Sequence, residues 1–142
     1  MADQATSQLA AAATLTGSEL VGVTQSGASV RTTVNALLSI PPSVRQVAGT
    51  TDTPTSADVG GLIETTGASA CTLTIQPDST GNWNLQDTLE VVQIGAGQAQ
   101  FVAGAGVSFI ASSGAKTRAQ GSPMTARRRA ANQWVINGDT TT

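Results

Sequence analysis

The sequence predicts a mainly β protein: a small N-terminal hairpin and short helix, followed by a compact antiparallel β-domain of the sandwich or barrel type. Three observations predict this fold class. Thr, Ser and Gly recur along all 142 residues, and turn residues interrupt the apolar runs about every eight to twelve positions, as in all-β domains. Leu, Ile, Val and Phe together make only about a fifth of the chain, close to the lower edge for globular proteins. One copy can therefore bury little apolar surface, which favours an oligomer.

The N-terminal segment, residues 1–42, is predicted to contain the hairpin and the helix. Leu20–Gln25 and Ala28–Thr32 flank a Ser26-Gly27 turn, whose glycine can take a positive φ. A short helix over Val34–Leu38 would place its large apolar residues on one face. Pro41-Pro42 prevents the helix from continuing, so we place the domain boundary there.

Residues 43–57 are rich in Thr and are predicted to form a polar linker, and residues 58–142 to form the β-domain. The clearest strand is Cys71–Ile75, where apolar and hydroxyl side chains alternate. Two Gly-Ala-Gly motifs, at 95–97 and 104–106, suit tight reversals between strands. Further strands are predicted at Leu89–Ile94, Gln98–Val102, Val107–Ile110, Thr117–Gln120, Met124–Ala130 and Gln133–Ile136.

Composition argues against several classes of function. Seven basic and nine acidic residues give a net charge of -2, so no strong field would hold the chain on nucleic acid or an anionic membrane. There is no histidine, which removes the commonest general base and the commonest zinc ligand. The single cysteine allows neither an internal disulfide nor a thiolate metal cluster. We therefore expect no enzyme activity, no cofactor and no metal site.

The run Arg127-Arg128-Arg129 is the most conspicuous charged feature. On a strand, Arg127 and Arg129 would point to one side and Arg128 to the other, so the triplet is not a single patch. A solvated or subunit-pairing role is favoured over nucleic-acid binding, because aromatic stacking platforms are also missing. Cys71 is interpreted as a small buried hydrophobe, and Trp83 and Trp134 as core or interface residues.

Two parts of the chain, one N-terminal and one C-terminal, contain motifs that can be compared with those of known families. The stretch Ala13–Gly27, which contains Leu15-Thr16-Gly17-Ser18-Glu19-Leu20-Val21, with Val30–Val34 after it, resembles the N-terminal segment of tailed-bacteriophage fibre and head-decoration proteins. The second part resembles the small C-terminal β-domain of phage and capsid fibres. The segments that carry this second resemblance are Asp58–Glu64, Cys71–Pro77, Glu90–Gln98, Ala103–Val107 and Asn132–Asp139.

The resemblance implies a virion structural protein: a capsid decoration, cement or head-fibre protein that forms a homotrimer. Such a protein would be made in the host cytoplasm, lie on the outer surface of the particle and contact the major capsid protein or another virion protein. The alternative is a tail-fibre or baseplate-associated protein whose β-domain binds a host-surface receptor or glycan. No nucleic acid or membrane partner is expected.

Two sets of residues are expected to carry these contacts. For particle attachment they are Leu20, Val21, Val23, Val30, Val34, Leu37 and Leu38. For packing in the core or between the subunits of the trimer they are Leu73, Ile75, Val91, Ile94, Phe101, Phe109, Trp134 and Ile136.

Overall fold

The structure is a computed structural model that describes residues 18, 20–34 and 43–142. The chain divides into two compact units, residues 1–41 and 42–142. This division lies at the Pro41-Pro42 pair, where the sequence places the domain boundary.

The N-terminal unit contains a two-stranded antiparallel hairpin. Strand β1 (Leu20–Gln25) pairs with β2 (Ala28–Thr33). The turn residues Ser26 and Gly27 have φ values of 50° and 80°, the left-handed conformation that a tight two-residue hairpin turn requires. The predicted helix over Val34–Leu38 lies, apart from its first residue, outside the described residues.

The strands of the C-terminal unit form two sheets. A six-stranded sheet has the order β3-β5-β7-β11-β12-β9, and a five-stranded sheet has the order β13-β10-β8-β6-β4. In chain order these strands are β3 (Val44–Val47), β4 (Thr51–Asp52), β5 (Leu62–Thr65), β6 (Cys71–Ile75), β7 (Thr88–Gln93), β8 (Ala99–Ala103), β9 (Ser108–Ala111), β10 (Lys116–Thr117), β11 (Pro123–Ala130), β12 (Gln133–Gly138) and β13 (Thr140–Thr141).

The first half of this unit is a β-solenoid. The chain passes from one sheet to the other and back, so that β3–β4, β5–β6 and β7–β8 form successive coils. Strands of neighbouring coils pair in parallel, with Val44 beside Leu62 and Leu62 beside Glu90. A parallel pair needs a long crossover between its strands, and here the crossover is the strand in the opposite sheet.

The second half of the unit pairs mainly in the antiparallel sense. Strand β11 is antiparallel to β7 and β12, and β10 is antiparallel to β8 and β13, while β9 is parallel to β12. The predicted antiparallel sandwich or barrel is therefore wrong, although the mainly β class is confirmed. Short apolar runs between glycine-rich turns fit both a hairpin and a solenoid corner, so their rhythm does not separate the two folds.

At the first Gly-Ala-Gly motif the chain turns a corner of the solenoid, whereas the sequence predicts a tight reversal between antiparallel strands. The amide of Gly95 donates to the carbonyl of Thr65 at 2.8 Å, and the amide of Gly97 donates to the carbonyl of Gly67 at 3.0 Å. A Cβ atom on Gly95 would overlap the backbone of Gly67 in the coil beside it. Glycine is needed here because the turns of successive coils stack in close contact.

Residues 43–57 belong to the folded unit, whereas the sequence interpretation makes them a polar linker. They contain β3 and β4 and lead into a 3₁₀ helix, Ser56–Asp58. Val47 and Pro54 in this segment are buried. Threonine, which makes the segment look like a linker, also favours strands, so composition alone does not reveal the first coil.

The core lies between the two sheets. Six of the predicted packing residues are at most 2% exposed: Leu73, Ile75, Val91, Phe101, Trp134 and Ile136. Phe109 is half-buried at the margin of this core. Ile94 is 44% exposed and is not a core residue. Successive side chains of β7 point to opposite sides of the sheet, and Ile94, just after the strand, points outward like Val92.

The two tryptophans pack against each other. Their rings are perpendicular, with centroids 5.2 Å apart, an edge-to-face arrangement favoured by the charge distribution of aromatic rings. The Nε1–H of Trp83 donates to the carbonyl of Gln76 at 2.8 Å. A Cβ atom on Gly81 would overlap the Trp83 ring, so the chain must have glycine there. Both tryptophans are thus structural residues of one subunit.

A charged cluster occupies the core side of the first coil. The Arg45 guanidinium donates to Asp58 at 2.6 Å and to Asp52 at 2.8 Å. The amide of Thr55 also donates to Asp58, at 2.8 Å. Burial alone would raise the pKa of Asp58, but Arg45 and Thr55 outweigh it and lower that pKa. Inward-pointing charges on an edge strand discourage strand addition, so this coil is a poor docking edge.

A second ion pair fastens a short helix to the β11–β12 hairpin. Helix α1 (Asp78–Gly81) begins with Asp78, whose carboxylate accepts hydrogen bonds from Arg128 Nε at 2.9 Å and Nη2 at 2.6 Å. The amide of Asn132 donates to the same carboxylate at 3.0 Å. The Arg128 hydrogen bonds, with a smaller contribution from Asn132, lower the pKa of Asp78.

We expect acid to destabilise the protein through these two carboxylates. The pKa values of Asp58 and Asp78 are lower in the folded chain than their ordinary value of 3.8, so the unfolded chain binds more protons as pH falls through that region. Their contribution is complete above the ordinary pKa and is lost in acid. Between about pH 7 and pH 3 the melting temperature should fall by about 5–10 °C.

The matched control is Asp78→Asn, measured by circular dichroism at the same protein concentration. This variant should melt lower than the wild type at neutral pH, and its melting temperature should depend less on pH. An equal fall in wild type and variant would contradict the role assigned to Asp78.

Candidate subunit interface

The outward side of the six-stranded sheet carries several of the exposed large apolar residues of the C-terminal unit. Burial alternates along its strands, so that Ile63, Leu89 and Trp134 face the core while their neighbours face outward. The pairing register places the outward residues in rows across the sheet. We call this surface the apolar outer face, and its large apolar residues are Val44, Leu62, Val92, Ile94, Ile110 and Val135.

Exposed large hydrophobic residues concentrate on this face. Val44 is 60% exposed, Ile110 is 47% exposed and Ile94 is 44% exposed. Leu85 is 61% exposed and lies in the loop before β7. The amide of the next residue, Gln86, donates to the carbonyl of Arg128 in β11. Single exposed apolar residues are ordinary. Val44 lies on the edge strand β3 and Ile110 on the opposite edge strand β9, so this side of the sheet is a candidate contact surface with apolar residues at both edges.

The outward side of the five-stranded sheet has a different composition. The register aligns Thr72 with Gln100 and Gln100 with Lys116, all half-buried. Thr51 and Thr141 continue the same row. Hydroxyl and amide groups satisfy their hydrogen bonds with water, so this side is suited to remain exposed. The asymmetry between the two sheets favours the apolar outer face as the contact surface.

The arginine triplet splits between the two sides of β11, as the sequence predicts. Arg128 turns inward to Asp78, and this pairing raises the pKa of Arg128 above its ordinary value. Arg127 and Arg129 are exposed on the outer face. Arg129 donates to the side-chain oxygen of Gln133 at 2.7 Å. The triplet is thus a structural arginine between two surface arginines.

A cleft of about 370 Å³ opens beside these two arginines. Its lining combines guanidinium and amide groups with one apolar side chain and contains no carboxylate, thiol or hydroxyl group to act as a nucleophile or general base. The cleft is suited to bind a group with negative charge. The lining residues are Gln86, Arg127, Arg128, Arg129, Val135 and Asn137.

The predicted attachment residues are placed only in part. Leu20 is exposed on β1, while Val21 and Val34 are half-buried. Val23 and Val30 lie opposite each other in the hairpin. Leu37 and Leu38 lie outside the described residues.

Cys71 is buried in β6, and burial raises the pKa of its thiol. Within residues 18, 20–34 and 43–142, no group of histidine, cysteine and acidic side chains is arranged to hold a metal ion. No helix among the same residues is long and apolar enough to cross a membrane.

Comparison of the chain with protein families, with curated proteins and with solved structures finds no match.

Proposed function

We propose that this chain is a homotrimeric structural protein of a tailed-bacteriophage particle, a capsid decoration, cement or head-fibre protein. In this proposal the N-terminal segment attaches to the major capsid protein or another virion protein. The C-terminal unit projects from the outer surface of the particle and holds the trimer together. The observation that carries the proposal is the apolar outer face, which gives a folded unit a surface for self-association.

Burial of the apolar outer face between subunits would add buried apolar surface, which the small core of one subunit provides only in part. At roughly 25 cal/mol for each Å² of apolar surface removed from water, a contact of standard size stabilises an assembly by many kcal/mol before the entropy of association is subtracted. In a trimer each subunit contacts two neighbours, so residues on both edges of the sheet can be covered.

The N-terminal hairpin suits the attachment role. Leu20 on β1 is 62% exposed, and β1 pairs only with β2 among the described residues. A two-stranded hairpin has two open strand edges, and such edges add to a neighbouring sheet through main-chain hydrogen bonds. Attachment by strand addition and apolar contact needs no net charge of opposite sign on the particle.

The attachment role predicts the effect of a single substitution in the full-length chain. Leu20→Asp should abolish occupancy on particles that lack the protein, because it places a carboxylate in an apolar contact. Arg118→Ala, which changes a 66% exposed side chain away from both the hairpin and the apolar outer face, should leave occupancy unchanged. Occupancy is read from gels of purified particles, and both variants should keep the oligomeric state of the wild type.

Salt separates apolar from ionic attachment in the same assay. Occupancy of the wild type should change little between about 0.05 and 0.5 M salt, because apolar contacts are weakly screened. Full occupancy by Leu20→Asp, or release of the wild type by salt alone, would contradict attachment through the hairpin.

A second candidate is a tail-fibre or baseplate-associated protein that binds a host-surface receptor or glycan. The polar outward side of the five-stranded sheet favours it, because threonine hydroxyls and glutamine amides match the hydrogen bonding of sugar hydroxyls. Adsorption of particles that lack the protein distinguishes the two candidates. Normal adsorption by such particles supports the structural role, and loss of adsorption supports the receptor-binding role.

A further inference from the structure

The outer face of the six-stranded sheet carries charge of opposite sign on its two halves. The acidic half, formed by β3, β5 and β7, presents Glu64 and Glu90. The basic half, formed by β11, β12 and β9, presents Arg127 and Arg129. None of the other outward positions on these six strands bears a charge. The face is therefore divided down its middle, between β7 and β11.

The charges on the face are left with few partners inside the subunit. Glu90 and Arg127 have no salt bridge or side-chain hydrogen bond with any described residue. Glu64 accepts one bond from Gln46, at 3.0 Å, and Arg129 donates to the neutral Gln133. By contrast, Arg45 and Arg128 on the core side of the same sheet are each paired with aspartate.

From this division we infer that a second copy of the chain docks with its acidic half on the basic half of the first. The inference rests on the proposed self-association and specifies its docking register, that is, which half of one subunit contacts which half of the next. In such a contact the carboxylates of one subunit reach the guanidinium groups and the cleft of the next. Apolar residues lie on both halves, so the contact brings Val44 and Leu62 of one copy against Ile110 and Val135 of another. In the proposed trimer, each acidic half meets the basic half of a different neighbour, and a threefold rotation between copies closes these heterologous contacts into a ring.

Docking of like halves is disfavoured by the same charges. A contact between two acidic halves would bring four carboxylates together, and a contact between two basic halves would bring four guanidinium groups together. Repulsion of like charges at an interface costs several kcal/mol and suppresses wrong registers. The charge pattern thus selects one register from those that the apolar residues alone would permit.

Charge reversal in the full-length chain tests this register. The first variant, Arg127→Glu with Arg129→Glu, makes both halves acidic, and the second, Glu64→Arg with Glu90→Arg, makes both halves basic. Each should weaken self-association at least about tenfold, measured by analytical ultracentrifugation at low salt. The fourfold variant, which combines all these changes, exchanges the two halves and should regain the wild-type oligomeric state.

Two further measurements keep the result specific. Circular dichroism should show the same fold for all variants, and at about 1 M salt the association of the two double variants should approach that of the wild type. In native mass spectrometry, wild type and fourfold variant should not form mixed oligomers, because their contacts would join halves of like charge.

The possible failures are distinguishable. An oligomeric wild type whose double variants associate normally, or whose fourfold variant stays dissociated, overturns the docking register and leaves the proposed trimer in place. Normal association together with loss of particle binding would assign the face to a virion partner and overturn the register as well. A monomeric wild type overturns both the register and the trimer.

Discussion

Trp134→Ala is expected to lower the free energy of unfolding by about 3–5 kcal/mol. Trp134 is fully buried, and its ring packs edge-to-face against Trp83. Alanine would leave a large cavity between the two sheets, in β12, which pairs with β11 and β9. The loss is measured by chemical denaturation at a fixed protein concentration, because the proposed association with other copies would also contribute to stability.

Trp134→Phe is the matched control. Phenylalanine keeps an aromatic ring against Trp83, and it removes an indole N–H that has no hydrogen-bond partner in the described part of the chain. An unsatisfied buried donor is unfavourable, so its removal offsets part of the lost packing. We expect the phenylalanine variant to be clearly more stable than the alanine variant. Equal stability of the two would show that the ring contact contributes nothing.

The double variant Val44→Asp with Ile110→Asp is expected to dissociate the proposed trimer. Both side chains are about half exposed in one copy, so the subunit can fold with aspartate at these positions. In the proposed trimer the same positions would bury carboxylates in an apolar contact. The concentration at which half of the protein is dissociated should rise at least about 100-fold, measured by analytical ultracentrifugation.

The control for this variant is Thr72→Asp with Thr51→Asp on the outward side of the five-stranded sheet. These residues lie side by side in one row of that sheet, and the change adds the same two charges. The control should keep the wild-type oligomeric state. If the control dissociates and Val44→Asp with Ile110→Asp does not, the interface is on the opposite sheet.

The sequence predicts the elements of this fold better than their arrangement. Cys71–Ile75 is a strand in both prediction and structure, because alternation of apolar and hydroxyl residues over five positions has one interpretation. The partner of a strand depends on where the next turn sends the chain. Around Gly95 the turn stacks on the coil beside it, a long-range contact that the local sequence does not encode.

The candidate interface could be predicted only in outline. The scarcity of large apolar residues indicates an oligomer, and the alternation along 127–129 indicates opposite directions for the arginines. The sequence does not reveal the apolar outer face, because the composition around Val44 predicts a linker and the strand pattern before Ile94 does not say which side of a sheet it occupies. Pairing of β3 with β5, which places Val44 beside Leu62, is what brings these residues onto one surface.

The mass of the purified full-length protein in solution tests the central claim most directly. Light scattering coupled to size-exclusion chromatography, at micromolar concentration, should give about three times the 14.2 kDa of one chain. A folded species of 14.2 kDa under those conditions would contradict the trimer and, with it, the role of the apolar outer face.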